Sequence, residues 1–234
     1  MNLAKQILIA LLLGLLIGLG MNLWAPNLFE PVDTYFFTPV GDIFLRLILM
    51  MVVPIVFVSI VLGTTSIGDP KKLGKIGGKT ILFYLTTTAL AISIAMTLAL
   101  IVRPGKKGVI DSGVDEYVPA EPPSIVDTLL NIIPTNPVEA MVNGDMLQII
   151  FFAVFFGLAL AMLGKKSELI KKFLEQLNDV VFYMINVIMY VAPIGAFGLI
   201  ASAVGNAGID AITSMFAYFM VVIGALVIHA VVVY

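Results

Sequence analysis

Cysteine is missing from this sequence, and with it go disulfides, thiolate metal sites and cysteine nucleophiles. Histidine occurs once, at His229, no apolar run carries paired carboxylates, and no glycine-rich loop sets Lys and Ser or Thr where a phosphate cradle needs them. The constellations of an enzyme are therefore absent. Charge is also scarce: Asp, Glu, Lys and Arg make up 12% of the 234 residues, the net charge is −2, and no basic tract invites nucleic acid as a partner.

What the chain has in quantity is apolar length. Hydrophobic residues make up 60% of it and the mean hydropathy is +1.09, more than a water-soluble domain with a polar surface tolerates. Six apolar runs, at about 7–23, 43–62, 81–102, 147–163, 180–203 and 212–234, approach the roughly 20 residues that a helix needs to cross hydrocarbon. They are too few for a closed barrel, and lipid excludes open sheet edges, so the expected fold is all-α: a polytopic membrane protein of six transmembrane helices. The first run could pass for a signal peptide. It is too long for one and no small-x-small cleavage pattern follows Trp24 and Pro26, so it is read as the first span.

Basic residues orient this bundle. Lys5, the group Lys71, Lys72, Lys75 and Lys79, and the group Lys165, Lys166, Lys171 and Lys172 fall on one side of a six-span alternation; Arg103, Lys106 and Lys107 fall on the other, and Arg46 lies within a span. The positive-inside rule makes the nine cytoplasmic, with both termini inside and a multi-pass location in the plasma membrane. The lysine-rich stretch Pro70–Lys75 then reads as a solvated cytoplasmic loop. An external loop at 103–123 separates a first repeat at 1–102 from a second at 124–234. Within the second, Ser124 followed by Asp127 marks a helix start, and Ile125, Val126, Leu129, Leu130 and Ile133 recur at helical spacing. This short amphipathic helix is expected to lie at or dip into the membrane before Pro134-Thr135-Asn136-Pro137 breaks it, leaving a broken fourth helix.

Met50-Met51-Val52-Val53-Pro54-Ile55 returns as Met189-Tyr190-Val191-Ala192-Pro193-Ile194, on spans that the alternation runs in opposite directions. Two inverted three-helix repeats are the pattern of a secondary transporter. The third span is the most polar, with Tyr84, Thr86, Thr87, Thr88, Ser93 and Thr97. Such oxygens can replace the water around a small hard cation, or bond back to carbonyls of the preceding turn; spacing alone favours the second. His229, among Ile228, Val231 and Val232, is a candidate for proton coupling, against the commoner role of a histidine satisfied by a backbone carbonyl. Gly14-x-x-x-Gly18 permits close helix approach, and Pro54 and Pro193 are expected to kink their helices.

Thr38-Pro39-Val40-Gly41-Asp42-Ile43-Phe44-Leu45-Arg46-Leu47, Met51 to Phe57, Ile133-Pro134-Thr135-Asn136-Pro137, Leu147 to Ala153 and Ala192-Pro193-Ile194-Gly195-Ala196-Phe197 together resemble the dicarboxylate/amino acid:cation symporter family, the glutamate transporters. The likeness is collinear over essentially the whole chain and is nearest to the bacterial proton or sodium glutamate symporters. It implies a homotrimer in which helices one, two, four and five form a static scaffold. Helices three and six then belong to a transport domain that slides like an elevator. It further implies sodium ion or proton as coupling ion with no other cofactor, an acidic amino acid or C4-dicarboxylate as substrate, and a cation site at Tyr84, Thr87 and Thr88. Two departures stand out. Leu49 occupies a position where relatives commonly carry Lys, which puts any gating charge there in doubt. The substrate-binding hairpins and the last two helices of the family would follow Tyr234, so a chain complete at this length is not expected to transport. The alternative reading is a non-transporting trimeric membrane scaffold; a permease half would need a coupling motif for an ATPase, and none is seen.

Overall fold

The computed structural model describes residues 2–67, 70–103 and 124–233; the external loop at 103–123 lies, beyond Arg103, outside the described residues. Every regular element among the described residues is helical. Chain order runs through α1 (Leu3–Trp24), α2 (Pro26–Val32), a π-helical turn (Asp33–Phe37), α3 (Thr38–Ile67), α4 (Pro70–Val102), α5 (Ile125–Leu130), α6 (Pro137–Asn143), α7 (Met146–Leu163), a 3₁₀ turn (Gly164–Ser167) and α8 (Glu168–Val232). Each of the six apolar runs is helical along its length, the last as far as Val232. Leu3–Trp24, Pro26–Ile67, Gly77–Val102 and Met146–Gly208 are long and apolar enough to cross a membrane, and Phe216–Val232 is apolar but shorter.

The breaks have local causes. Ala25 precedes Pro26, whose ring disfavours helical geometry in the residue before it, and Ala25 sits at φ −144° to end α1. Ser124 Oγ accepts from the Asp127 amide at 3.0 Å and caps α5 as the sequence pattern predicts. That helix closes at Leu130, one turn earlier than the apolar spacing suggests. Asn136, extended before Pro137, accepts from the Val138 and Glu139 amides and starts α6. A second interruption follows: Gly144 takes the left-handed φ of 74° that only glycine adopts freely, so the fourth apolar helix is preceded by two short helices rather than one.

One expectation is corrected. Pro70–Lys75 is the start of α4 and not a loop, so the lysine run extends the third apolar helix beyond its apolar part. Pro193 lies within α8, and the non-helical backbone of that helix falls further on, at Gly208, with φ 67° and ψ −169°.

The chain forms two compact units. One comprises residues 1–42, 77–117 and 193–234. There α1 lies against α8 through glycines: a Cβ on Gly18 would stand 2.5 Å from the Ala201 carbonyl oxygen, and one on Gly14 2.8 Å from that of Phe197. Phe29, Phe37 and Ala201 are buried beside this contact, the Phe37 and Phe197 rings meeting edge to face at 5.7 Å. The other unit comprises 43–76 and 118–192. Its core joins Val58 and Val61 of α3, Ala153 and Leu160 of α7 and Leu174 of α8, with Phe57 stacked on Phe152 at 5.9 Å. Gly157 lets α7 reach α3, since a Cβ there would sit 2.8 Å from the Val61 carbonyl. A second cluster, Met51, Val181 and Ile188, brings together α3 and α8, with Ile55 packed against it.

Candidate cation and proton site

Helical spacing of three and four residues puts Tyr84, Thr87 and Thr88 on one face of a single turn of α4. Thr87 is 7% exposed, in contrast to its neighbours on the same turn. Its hydroxyl donates to the Tyr84 carbonyl at 3.2 Å, as those of Thr86, Ser93 and Thr97 donate to Leu82, Ala89 and Ser93 carbonyls at 2.7–2.9 Å. The back-bonded reading of this polar span is therefore the geometry found. It does not remove the hydroxyl oxygens as ligands: a hydroxyl whose proton is committed to a carbonyl keeps its lone pairs for a cation. Tyr84 and Thr88 are exposed, Tyr84 at 61%.

His229 stands apart from this trio. With Tyr218, Val221, Val222, Ala225 and Leu226 it forms one wall of a cavity of about 460 Å³, whose other wall is Ala91, Ala95, Met96 and Ala99 of α4. Tyr84, Thr87 and Thr88 do not line that cavity, which begins one turn beyond Thr88 along α4. The imidazole is half-buried in an otherwise apolar setting. Among the described residues no three His, Asp or Glu side chains gather as they would around a multivalent metal.

Residue spacing did not reveal a polar cluster at the junction of α2, α3 and α8. Asp33 accepts from Asn206 at 2.9 Å and from Thr38 at 3.0 Å, Thr38 and Ser202 share a hydrogen bond of 3.2 Å, and Asn206 also donates to the Ser202 carbonyl at 3.0 Å. Close by, Asn22 donates to the Gly205 carbonyl at 2.8 Å. Partners 173 and 183 positions apart leave no periodic trace; the local hint is Gly205-Asn206-Ala207-Gly208, the punctuation between the last two apolar runs. These bonds pin α8 just ahead of its break at Gly208, so the stretch after the break is attached through a glycine whose backbone geometry other residues avoid.

The sequence pattern of the sodium:dicarboxylate symporter family matches residues 3–234. The chain belongs to that family. It is 40% identical to the proton/sodium-glutamate symport protein of Geobacillus stearothermophilus over 97% of this chain and 54% of that protein, and 41% identical to the one of Bacillus caldotenax over 90% and 51%. With the C4-dicarboxylate transport protein of Rhizobium leguminosarum bv. trifolii it shares 38% identity over 92% and 48%. This symporter-family chain thus spans about half the length of the curated relatives it matches. Membership agrees with the long apolar helices in marking it as a multi-pass membrane chain.

Proposed function

We propose that this chain is the N-terminal portion of a cation-coupled symporter for acidic amino acids or C4-dicarboxylates. The observation that carries the reading is family membership along residues 3–234, joined by relatives named for glutamate symport and for C4-dicarboxylate transport. Six transmembrane helices in two inverted repeats, with both termini cytoplasmic, are the arrangement we assign to it. Tyr84, Thr87 and Thr88 form the cation site, and His229 supplies proton sensitivity. The break at Gly208, held on its upstream side by Asn22 and Asp33, supports an elevator in which helices three and six move on a trimeric scaffold of helices one, two, four and five. Coupling follows if cation and substrate favour the same state of the moving part, so that the ion gradient biases a two-state equilibrium.

The test is uptake into proteoliposomes by this chain joined to the remaining half of the Geobacillus relative, with sodium, pH and the candidate anions varied separately. Uptake of an acidic amino acid or dicarboxylate that rises with sodium or with acid outside is expected. Uptake indifferent to both rejects the coupling. The alternative reading, a trimeric membrane scaffold that does not transport by itself, would be established by trimers of the chain alone that bind neither sodium nor substrate.

A further inference from the structure

The turn between α7 and α8 combines a fixed backbone, uncompensated positive charge and exposed apolar side chains. Met146–Leu163 has 18 residues, about 27 Å of helix at 1.5 Å per residue, close to the hydrocarbon thickness of a bilayer. A helix of that length that crosses the bilayer brings the turn after it, Gly164–Ser167, to headgroup depth. Gly164, at φ 54°, makes the corner, and buried Ser167 holds it, with Oγ 2.7 Å from the Leu160 carbonyl and 2.8 Å from that of Gly164.

Lys165 and Lys166 project from this corner and are exposed. Further along, Lys171 and Lys172 have acidic neighbours one turn away, Glu175 at 3.9 Å and Glu168 at 3.0 Å; among the described residues Lys165 and Lys166 have no such ion pair. Leu169, 81% exposed, with Ile170 and Phe173, adds an apolar edge to the first turns of α8. Apolar side chains that enter the acyl boundary beside cations at phosphate level are the two signals that together hold a segment at an anionic membrane surface.

We propose that Lys165 and Lys166, carried on this turn and followed by exposed Leu169, Ile170 and Phe173, form a contact site for anionic phospholipid headgroups. The inference is independent of the transport reading, since it needs only the chain in a bilayer.

Phe173→Trp in a Trp24→Phe background places one indole at the site, and brominated phosphatidylglycerol or phosphatidylcholine in reconstituted vesicles reports which lipid approaches it. Phosphatidylglycerol should be preferred at low salt by about fivefold for each unpaired lysine, the equivalent of about 1 kcal/mol per charge near an anionic surface, and the preference should fall as sodium chloride is added. Lys165→Gln with Lys166→Gln should abolish it, whereas Lys171→Gln with Lys172→Gln should leave most of it, with circular dichroism confirming equal helix content. Equal quenching by the two lipids, or loss only in the second pair of variants, overturns the proposal. So does a preference erased by inorganic phosphate but not by sodium chloride of equal ionic strength, which would assign the turn to a free anion.

Discussion

Gly18 has no room for a side chain, because even a first carbon would press on the Ala201 carbonyl at 2.5 Å. Gly18→Leu must push α1 away from α8, and overpacking of this kind costs about 1–3 kcal/mol. Thermal unfolding in detergent should show a lowered midpoint, while Gly20→Leu, whose nearest neighbours are Trp24 ring atoms at 3.7 Å, should be milder. Thr87 is the member at which the proposed cation site is best tested, since it is the buried hydroxyl of the trio. Sodium chloride should raise the melting temperature of the chain above that in choline chloride, as any ligand of the folded state does. Thr87→Val should remove that difference and Thr86→Val keep it; a sodium effect that survives Thr87→Val returns these hydroxyls to helix packing. In the joined transporter, His229→Gln keeps a polar tip but cannot take a proton, so under the proposed role of His229 the pH dependence of uptake should flatten. An unaltered profile assigns His229 to the cavity wall.

At the scale of elements, the decisive feature is how α8 is divided. Its two expected spans, 180–203 and 212–234, are joined by helix except at Gly208, where φ 67° and ψ −169° lie in a region open essentially to glycine. Gly208→Ala should cost about 1–3 kcal/mol or force the linkage into another geometry, read as a lower unfolding midpoint and, in the joined transporter, slower uptake. A variant that matches the parent in both measurements would show that this break bears no strain. Pro193 sits within helical backbone, where a membrane helix tolerates the bond its ring removes when neighbouring groups compensate. Where the signal was a side chain bonding its own backbone, it was readable, as at Ser124, whose cap spans three residues. Asn136 does the same for α6, in a stretch where the sequence showed only a proline break.

For the whole molecule, exposed apolar surface dominates. Leu8, Leu12 and Leu16 on α1, Leu82, Leu85 and Ile92 on α4 and Leu226 and Val227 on α8 are largely uncovered in the single chain, as lipid-facing or subunit-facing side chains would be. Under the proposed scaffold, a trimer should be found when the mass of the detergent-solubilised chain is measured by light scattering with the detergent contribution subtracted. A monomer that persists at high protein concentration would remove the scaffold from the proposed mechanism.

Composition and apolar run length determined that this is a helical membrane chain; the Gly14-x-x-x-Gly18 spacing marked a packing face, and the collinear motifs from Thr38 to Phe197 carried the resemblance to its family. These properties are local or additive, since a backbone in lipid must satisfy its hydrogen bonds within each run. Only the tertiary structure decided that Asp33 meets Asn206, that Asn22 holds the Gly205 carbonyl, that Thr87 is the buried hydroxyl of its turn, and that His229 faces the alanines of α4 across a cavity. Each of these depends on which faces of distant helices pack together. A helical period says which residues share a face, but not what that face will meet.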